Sequence, residues 1–182
     1  MNVPNLLTLS RIILIPLFVV AYYAPMSGAQ TLAASLFVLA AITDWLDGYL
    51  ARRWGQTSAF GAFFDPVADK LMVAMALLIV LQNDPRLIMA LPVAVIIGRE
   101  ITVSALREWM AEIGHRGRVA VSMWGKVKTT VQMISLVILL LADWPTYPLG
   151  LLGLYIAAIL TLWSMIQYLL AAWPSIANDA QG

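Results

Sequence analysis

The apolar residues of this chain gather into six runs of roughly bilayer-crossing length, and that pattern leaves few folds open. The runs cover residues 6–23, 31–50, 61–80, 87–106, 127–142 and 149–172. A helix needs about 20 such residues to cross a hydrocarbon core. A lone strand in lipid would leave its backbone groups unpaired, so each run is expected to be a helix. Hydrophobic side chains make up 62% of the 182 residues and charged ones 12%, against about 45–50% and 25% in a soluble domain. A globule of this size still exposes about a third of its unfolded surface, so the apolar surplus has no place in water. A soluble domain and a disordered chain are both excluded. The expectation is an all-α, polytopic membrane protein with six transmembrane helices, residues 1–182 forming one integral membrane domain. The net charge of +1 argues against a nucleic-acid partner, and the absence of cysteine excludes disulfides, thiolate metal sites and a Cys nucleophile.

The aromatic and proline signals at Tyr22-Tyr23, Trp144-Pro145 and Trp173-Pro174 suit the interfacial ends of spans. Pro16 is expected to kink the first span. That span does not read as a cleavable signal peptide, because no basic residue precedes it and no small-residue cleavage site follows. The connections near 52–60 and 107–126 carry Arg52, Arg53, Arg107, Arg116, Arg118 and Lys126, whereas the opposite side carries only Arg86. The positive-inside rule therefore puts the first set, and both termini, in the cytoplasm.

Ionisable groups are expensive at the membrane, by about 2.5–3.5 kcal/mol each at a helix centre, and mark function by default. Asp44, Asp47, Asp65 and Asp69 are four of the ten acidic residues, placed within 26 positions that bracket the cytoplasmic ends of the second and third spans. Asp44 and Asp47, with Gly48 and Ala51, share one helical face, and Asp65 and Asp69, with Gly61, share another. A short turn makes the two helices antiparallel neighbours, so the carboxylates can converge. Such a cluster repels itself unless cations sit within it. Hard oxygen ligands without His or Cys favour Mg²⁺ or Mn²⁺, and four carboxylates carry charge for two ions. Paired divalent ions clamp the attacking and leaving oxygens of a phosphoryl displacement. The small residues on the same faces leave room for a bulky group, and Arg52 is placed to meet a phosphate oxygen. Pro66 alters the orientation of Asp65 and Asp69 relative to a straight helix.

These residues read Asp44-x-x-Asp47-Gly48-x-x-Ala51-Arg52, eight residues, Gly61, x-x-x, Asp65, x-x-x, Asp69. The pattern resembles the signature of the CDP-alcohol phosphotransferases, with all eight fixed positions filled. At about 5% usage per residue type, a chance match at a given start is below roughly one in a billion. The segments 4–11, 65–70, 98–100, 105–110 and 125–129 resemble one branch of that family, which transfers a phosphatidyl group from CDP-diacylglycerol to sn-glycerol 3-phosphate. The likeness covers nearly the whole chain. It implies that residues 1–182 form one catalytic domain. In that domain Asp44, Asp47, Asp65 and Asp69 hold the two metals, and Asp69 also takes the proton from the acceptor hydroxyl. It further implies that Asn5, Thr8, Gly48, Ala51, Arg52 and Gly61 line the CDP pocket, and that the protein is a homodimer of the bacterial inner membrane with its site facing the cytoplasm.

An acceptor carrying a phosphate needs a cationic seat. Arg99 and Arg107, about 80° apart on a helical wheel, and Lys126 and Lys128 at the start of the fifth span are the candidates. The i, i+2 spacing of the lysines sends them to nearly opposite sides of a helix. Lys128 continues into Gln132 and Ser135 on one face, a polar stripe that marks an inward orientation. Glu100 or an aspartate competes with any ligand for Arg99. His115 reads as a solvated connection residue. Two other functions compete: the same chemistry on another acceptor, such as serine or inositol phosphate, and a small cation or proton transporter using the aspartates as a relay. Transporter sites lie near the midplane within repeated halves, whereas these acids lie at one face and the halves show no evident symmetry.

Overall fold

The computed structural model describes residues 3–54, 59–113, 123–141 and 145–179. Among them the chain forms six helices and no strand: α1 (Val3–Tyr22), α2 (Ala29–Trp54), α3 (Ala59–Asn83), α4 (Leu87–Glu112), α5 (Met123–Leu141) and α6 (Tyr147–Asp179). Among the described residues four stretches are long and apolar enough to cross a membrane, namely Ala29–Leu46, Pro66–Asn83, Leu87–Glu112 and Tyr147–Leu170. Leu9–Tyr22 and Val127–Leu141 are shorter apolar helices. The chain is an all-helical, multi-pass membrane protein.

The helices outrun the apolar runs that announce them. α2 continues through Arg52 to Trp54, α4 through Arg107 to Glu112, and α5 begins at Met123, ahead of Lys126. Arg107 and Lys126, expected in a connection or at its margin, are therefore helical. Polar side chains end a hydropathy run, but a helix ends only where its backbone bonds end, and Leu, Arg, Glu, Met and Ala all favour the helical state. α6 likewise runs to Asp179, past the expected stop at Trp173-Pro174. Pro16 lies within α1, which is helical on both sides of it. Pro66 is the eighth residue of α3, deeper than the first turn where proline costs nothing. Arg116, Arg118, His115 and Trp144 lie outside the described residues.

The chain divides into two compact units. The first comprises Met1–Asn83 and Leu136–Tyr147, the second Asp84–Ser135 and Pro148–Gly182. In the first, α1 packs on α2 and α3, and α2 on α3. Phe18 of α1 meets Phe37 of α2 with ring centroids 6.0 Å apart, tilted by 42°. In the same unit Ala21, Ala33, Ala34, Ala40, Ala68 and Ala76 are buried. Lipid supplies no hydrophobic drive for helix association, so close approach over small side chains takes its place. The C-terminal ends of α1 and α3 are joined by two polar contacts, Asn83 Nδ2 donating to the Tyr22 hydroxyl and the Tyr23 hydroxyl donating to Gln82.

In the second unit α6 meets α4 where the Tyr155 hydroxyl donates to the Ile88 carbonyl at 2.8 Å. α6 also meets α5 so closely that a Cβ on Gly153 would collide with the Ser135 side chain. Val103 and Met110 of α4 and Tyr168 of α6 form a buried cluster, with Leu106, Trp109, Ile113 and Met165 around it. Arg86 grips Asp84 in a bidentate pair (2.5 and 2.8 Å) just ahead of α4.

Candidate active site

The acids of the first unit stand where its packed stripes run out. Along α2, Ala33, Phe37 and Ala40 are buried, and Asp44 is the next position on that stripe, with its side chain 45% exposed. Along α3, Met72, Val73 and Ala76 are buried, and Asp69, one turn earlier, is exposed. Each acid thus continues a face that is buried within the protein farther along its helix. Asp47, Gly48, Ala51 and Arg52 follow in α2, and Gly61 and Asp65 precede Asp69 in α3. Their side chains, like those of Asn5 and Thr8 in α1, lie outside the described ones.

One residue that the sequence reading passed over joins the acids. Arg11 of α1 donates from Nη1 to the Asp44 carboxylate. Its side chain is only 4% exposed, and a buried arginine persists only when paired. Phe18, two turns along the same stripe, is buried too. The available signal was a lone basic residue among the apolar positions of the first span, where an ionisable group needs a reason.

Among the described residues no three Asp, Glu or His side chains are grouped to hold a metal ion. The expected set is completed by Asp47 and Asp65, whose side chains lie outside the described ones. The donor chemistry fits a hard divalent cation: the candidate ligands are all carboxylate oxygens, and neither Asp44 nor Asp69 is buried within the protein.

The cations of the second unit are organised differently. Lys128 of α5 is buried, its side chain 5% exposed, and donates from Nζ to Glu100 Oε1 at 2.8 Å. Arg99 of α4, 9% exposed, donates to the same oxygen from Nη1 at 3.0 Å and to Ser164 Oγ of α6 from Nη2 at 3.1 Å. Ser164 in turn donates to the Thr161 carbonyl at 2.9 Å. Arg107, exposed on α4, donates to the Tyr168 hydroxyl at 2.8 Å. Its guanidinium carbon lies 5.0 Å from the centre of the Tyr168 ring, and that of Arg99 lies 5.5 Å from it. Arg99, Arg107 and Lys128 therefore gather about one carboxylate and one aromatic ring.

The inward stripe expected of α5 is present: Lys128, Gln132 and Ser135 are buried, while Val127, Thr129, Thr130 and Ile134 are exposed. The expected competition of Glu100 for Arg99 is also present. The side chain of Lys126 lies outside the described ones. Tyr168 and Ser164 escaped the sequence reading, since a tyrosine or serine in an apolar span carries no signal of its own.

The CDP-alcohol phosphatidyltransferase family matches residues 1–169, and the chain belongs to that family. The transporter reading falls with this result. Three bacterial relatives bear the name CDP-diacylglycerol–glycerol-3-phosphate 3-phosphatidyltransferase. The chain is 58% identical to that of Sodalis glossinidius over 173 residues, 94% of this chain and 95% of the relative. It is 54% identical to that of Pseudomonas fluorescens over 186 aligned positions, 100% of this chain and 95% of the relative. It is 50% identical to that of Haemophilus influenzae over 182, covering 99% and 98%.

Proposed function

We propose that this chain transfers the phosphatidyl group of CDP-diacylglycerol to the free primary hydroxyl of sn-glycerol 3-phosphate, releasing CMP and phosphatidylglycerophosphate. The observation that carries this reading is identity of 50–58% along essentially the whole chain to the relatives so named. The family is generally dependent on divalent metal, and Asp44, Asp47, Asp65 and Asp69 would hold two Mg²⁺ or Mn²⁺ ions. When bound, the ions supply neutralisation of the pyrophosphate and of the charge developing on departing CMP.

The chain's own residues do the remainder. The hydroxyl oxygen of the acceptor attacks the β-phosphorus of CDP-diacylglycerol, a P–O bond to that oxygen forms, and the P–O bond to CMP breaks. Asp69, exposed on α3, accepts the hydroxyl proton. Arg52, Gly48, Ala51, Gly61, Asn5 and Thr8 are assigned to the CDP group. Arg99, Arg107 and Lys128, with Lys126, are assigned to the acceptor phosphate, where a guanidinium offers paired donors and an ammonium a point charge. Residues 1–182 act as one catalytic domain with six crossings, as a homodimer in the bacterial inner membrane. The Lys and Arg distribution supports termini and site on the cytoplasmic side.

The test is CMP release by the purified protein with CDP-diacylglycerol and Mg²⁺, offering glycerol 3-phosphate, serine and inositol phosphate in turn. Release with glycerol 3-phosphate is the expected result. Release only with another acceptor overturns the substrate while keeping the chemistry.

A further inference from the structure

In the second unit Arg99 and Lys128 share the Glu100 carboxylate, and the group that Arg99 and Arg107 share is not an acid but the Tyr168 ring. Arg99 and Arg107 each lie within 5.5 Å of the Tyr168 ring centre, and Arg107 also donates to its hydroxyl. The ring is itself immobilised, buried among Val103 and Met110 with Leu106, Trp109 and Met165 around it. A second carboxylate in that place would orient the guanidiniums equally well but cancel a charge. A phenol ring attracts them through its quadrupole and one acceptor oxygen, and leaves the positive excess intact.

Two further features mark the cluster as built for an anion. Arg99 Nε is buried and, among the described residues, has no hydrogen-bond partner, although a buried N–H without a partner is costly. Arg107 is exposed, so the cation that Tyr168 holds most directly is the one that the protein itself leaves uncovered.

We propose that Tyr168 is a positioning residue: its ring and hydroxyl set Arg107 and Arg99 as a seat for a phosphate monoester. Glu100 fixes Lys128 and Arg99 together by accepting from both at one oxygen. The proposal rests on the reading that the acceptor is glycerol 3-phosphate, and its phosphate is the group seated.

The test compares wild type with Tyr168→Phe and Tyr168→Leu as full-length protein with CDP-diacylglycerol and Mg²⁺. Tyr168→Phe keeps the ring and loses one charge-assisted hydrogen bond, so KM for glycerol 3-phosphate is expected to rise about threefold. Tyr168→Leu loses both contacts and is expected to raise it about tenfold or more. KM for CDP-diacylglycerol is expected to stay within about twofold in both variants, which a merely unfolded or loosened protein would not show. No change in acceptor KM in either variant, or equal movement of both KM values, overturns the proposal.

If wild type releases no CMP with glycerol 3-phosphate, the functional reading fails by itself. The seat is then judged by titrating inorganic phosphate onto the detergent-solubilised protein. Binding that weakens about tenfold in Tyr168→Leu supports it; no binding, or binding that the substitution leaves alone, overturns it.

Discussion

The two units place their charged side chains in opposite ways. In the first, Asp44 is nearly half exposed and Asp69 is exposed, each at the end of a buried apolar stripe. In the second, Lys128 and Arg99 are almost wholly buried: both pair with Glu100, and Arg99 also meets Ser164 and the Tyr168 ring. Asp44 keeps nearly half of its side chain exposed even while paired with Arg11, and Asp69 is exposed, whereas Lys128 and Arg99 are held by neighbours inside the protein. Fixing cations before a ligand arrives lowers the ordering cost of binding. Leaving carboxylates accessible suits ions that come and go with their hydration shells.

This contrast can be broken by experiment. The largest effect is expected from Asp69→Asn: CMP release should fall about a thousandfold, the loss of a general base, with CDP-diacylglycerol binding retained. Turnover near wild type would remove Asp69 from the chemistry. Next, Glu100→Ala should destabilise the fold by about 3 kcal/mol, because Arg99 and Lys128 lose the oxygen they share and stay buried. Thermal melting reads this directly, and an unchanged midpoint would show that these cations do not depend on Glu100. Adding Mg²⁺ at a hundredfold excess over its Kd should stabilise wild type by about 2–3 kcal/mol. Asp44→Asn/Asp69→Asn should lose most of that gain, whereas Glu100→Ala should keep it. The smallest effect is expected from Ser164→Ala, about 1 kcal/mol for one hydrogen bond to Arg99.

Much of this was legible in the sequence. The six helices follow from apolar length, and the inward face of α5 follows from the spacing of Lys128, Gln132 and Ser135. The acids of α2 and α3 were visible because charge is rare in such segments. Helix ends were less legible: Arg107 and Lys126 end hydropathy runs without ending helices. Least legible were contacts between helices distant in sequence. Arg107 and Tyr168 are 61 positions apart, and nothing in the local period of either helix says which neighbour it will face. Arg11 was readable as a costly charge but not as the partner of Asp44, for the same reason.

The eight motif positions ride on α2 and α3, uninterrupted helices that also carry the buried stripes below them. One added residue between Ala40 and Asp44 would swing the rest of α2 by about 100° around its axis, taking Asp44 and Asp47 off the buried stripe while leaving composition almost untouched. A chain constructed in this manner tolerates altered letters in its spans far better than altered length, and single-codon insertions there should be more damaging than most substitutions.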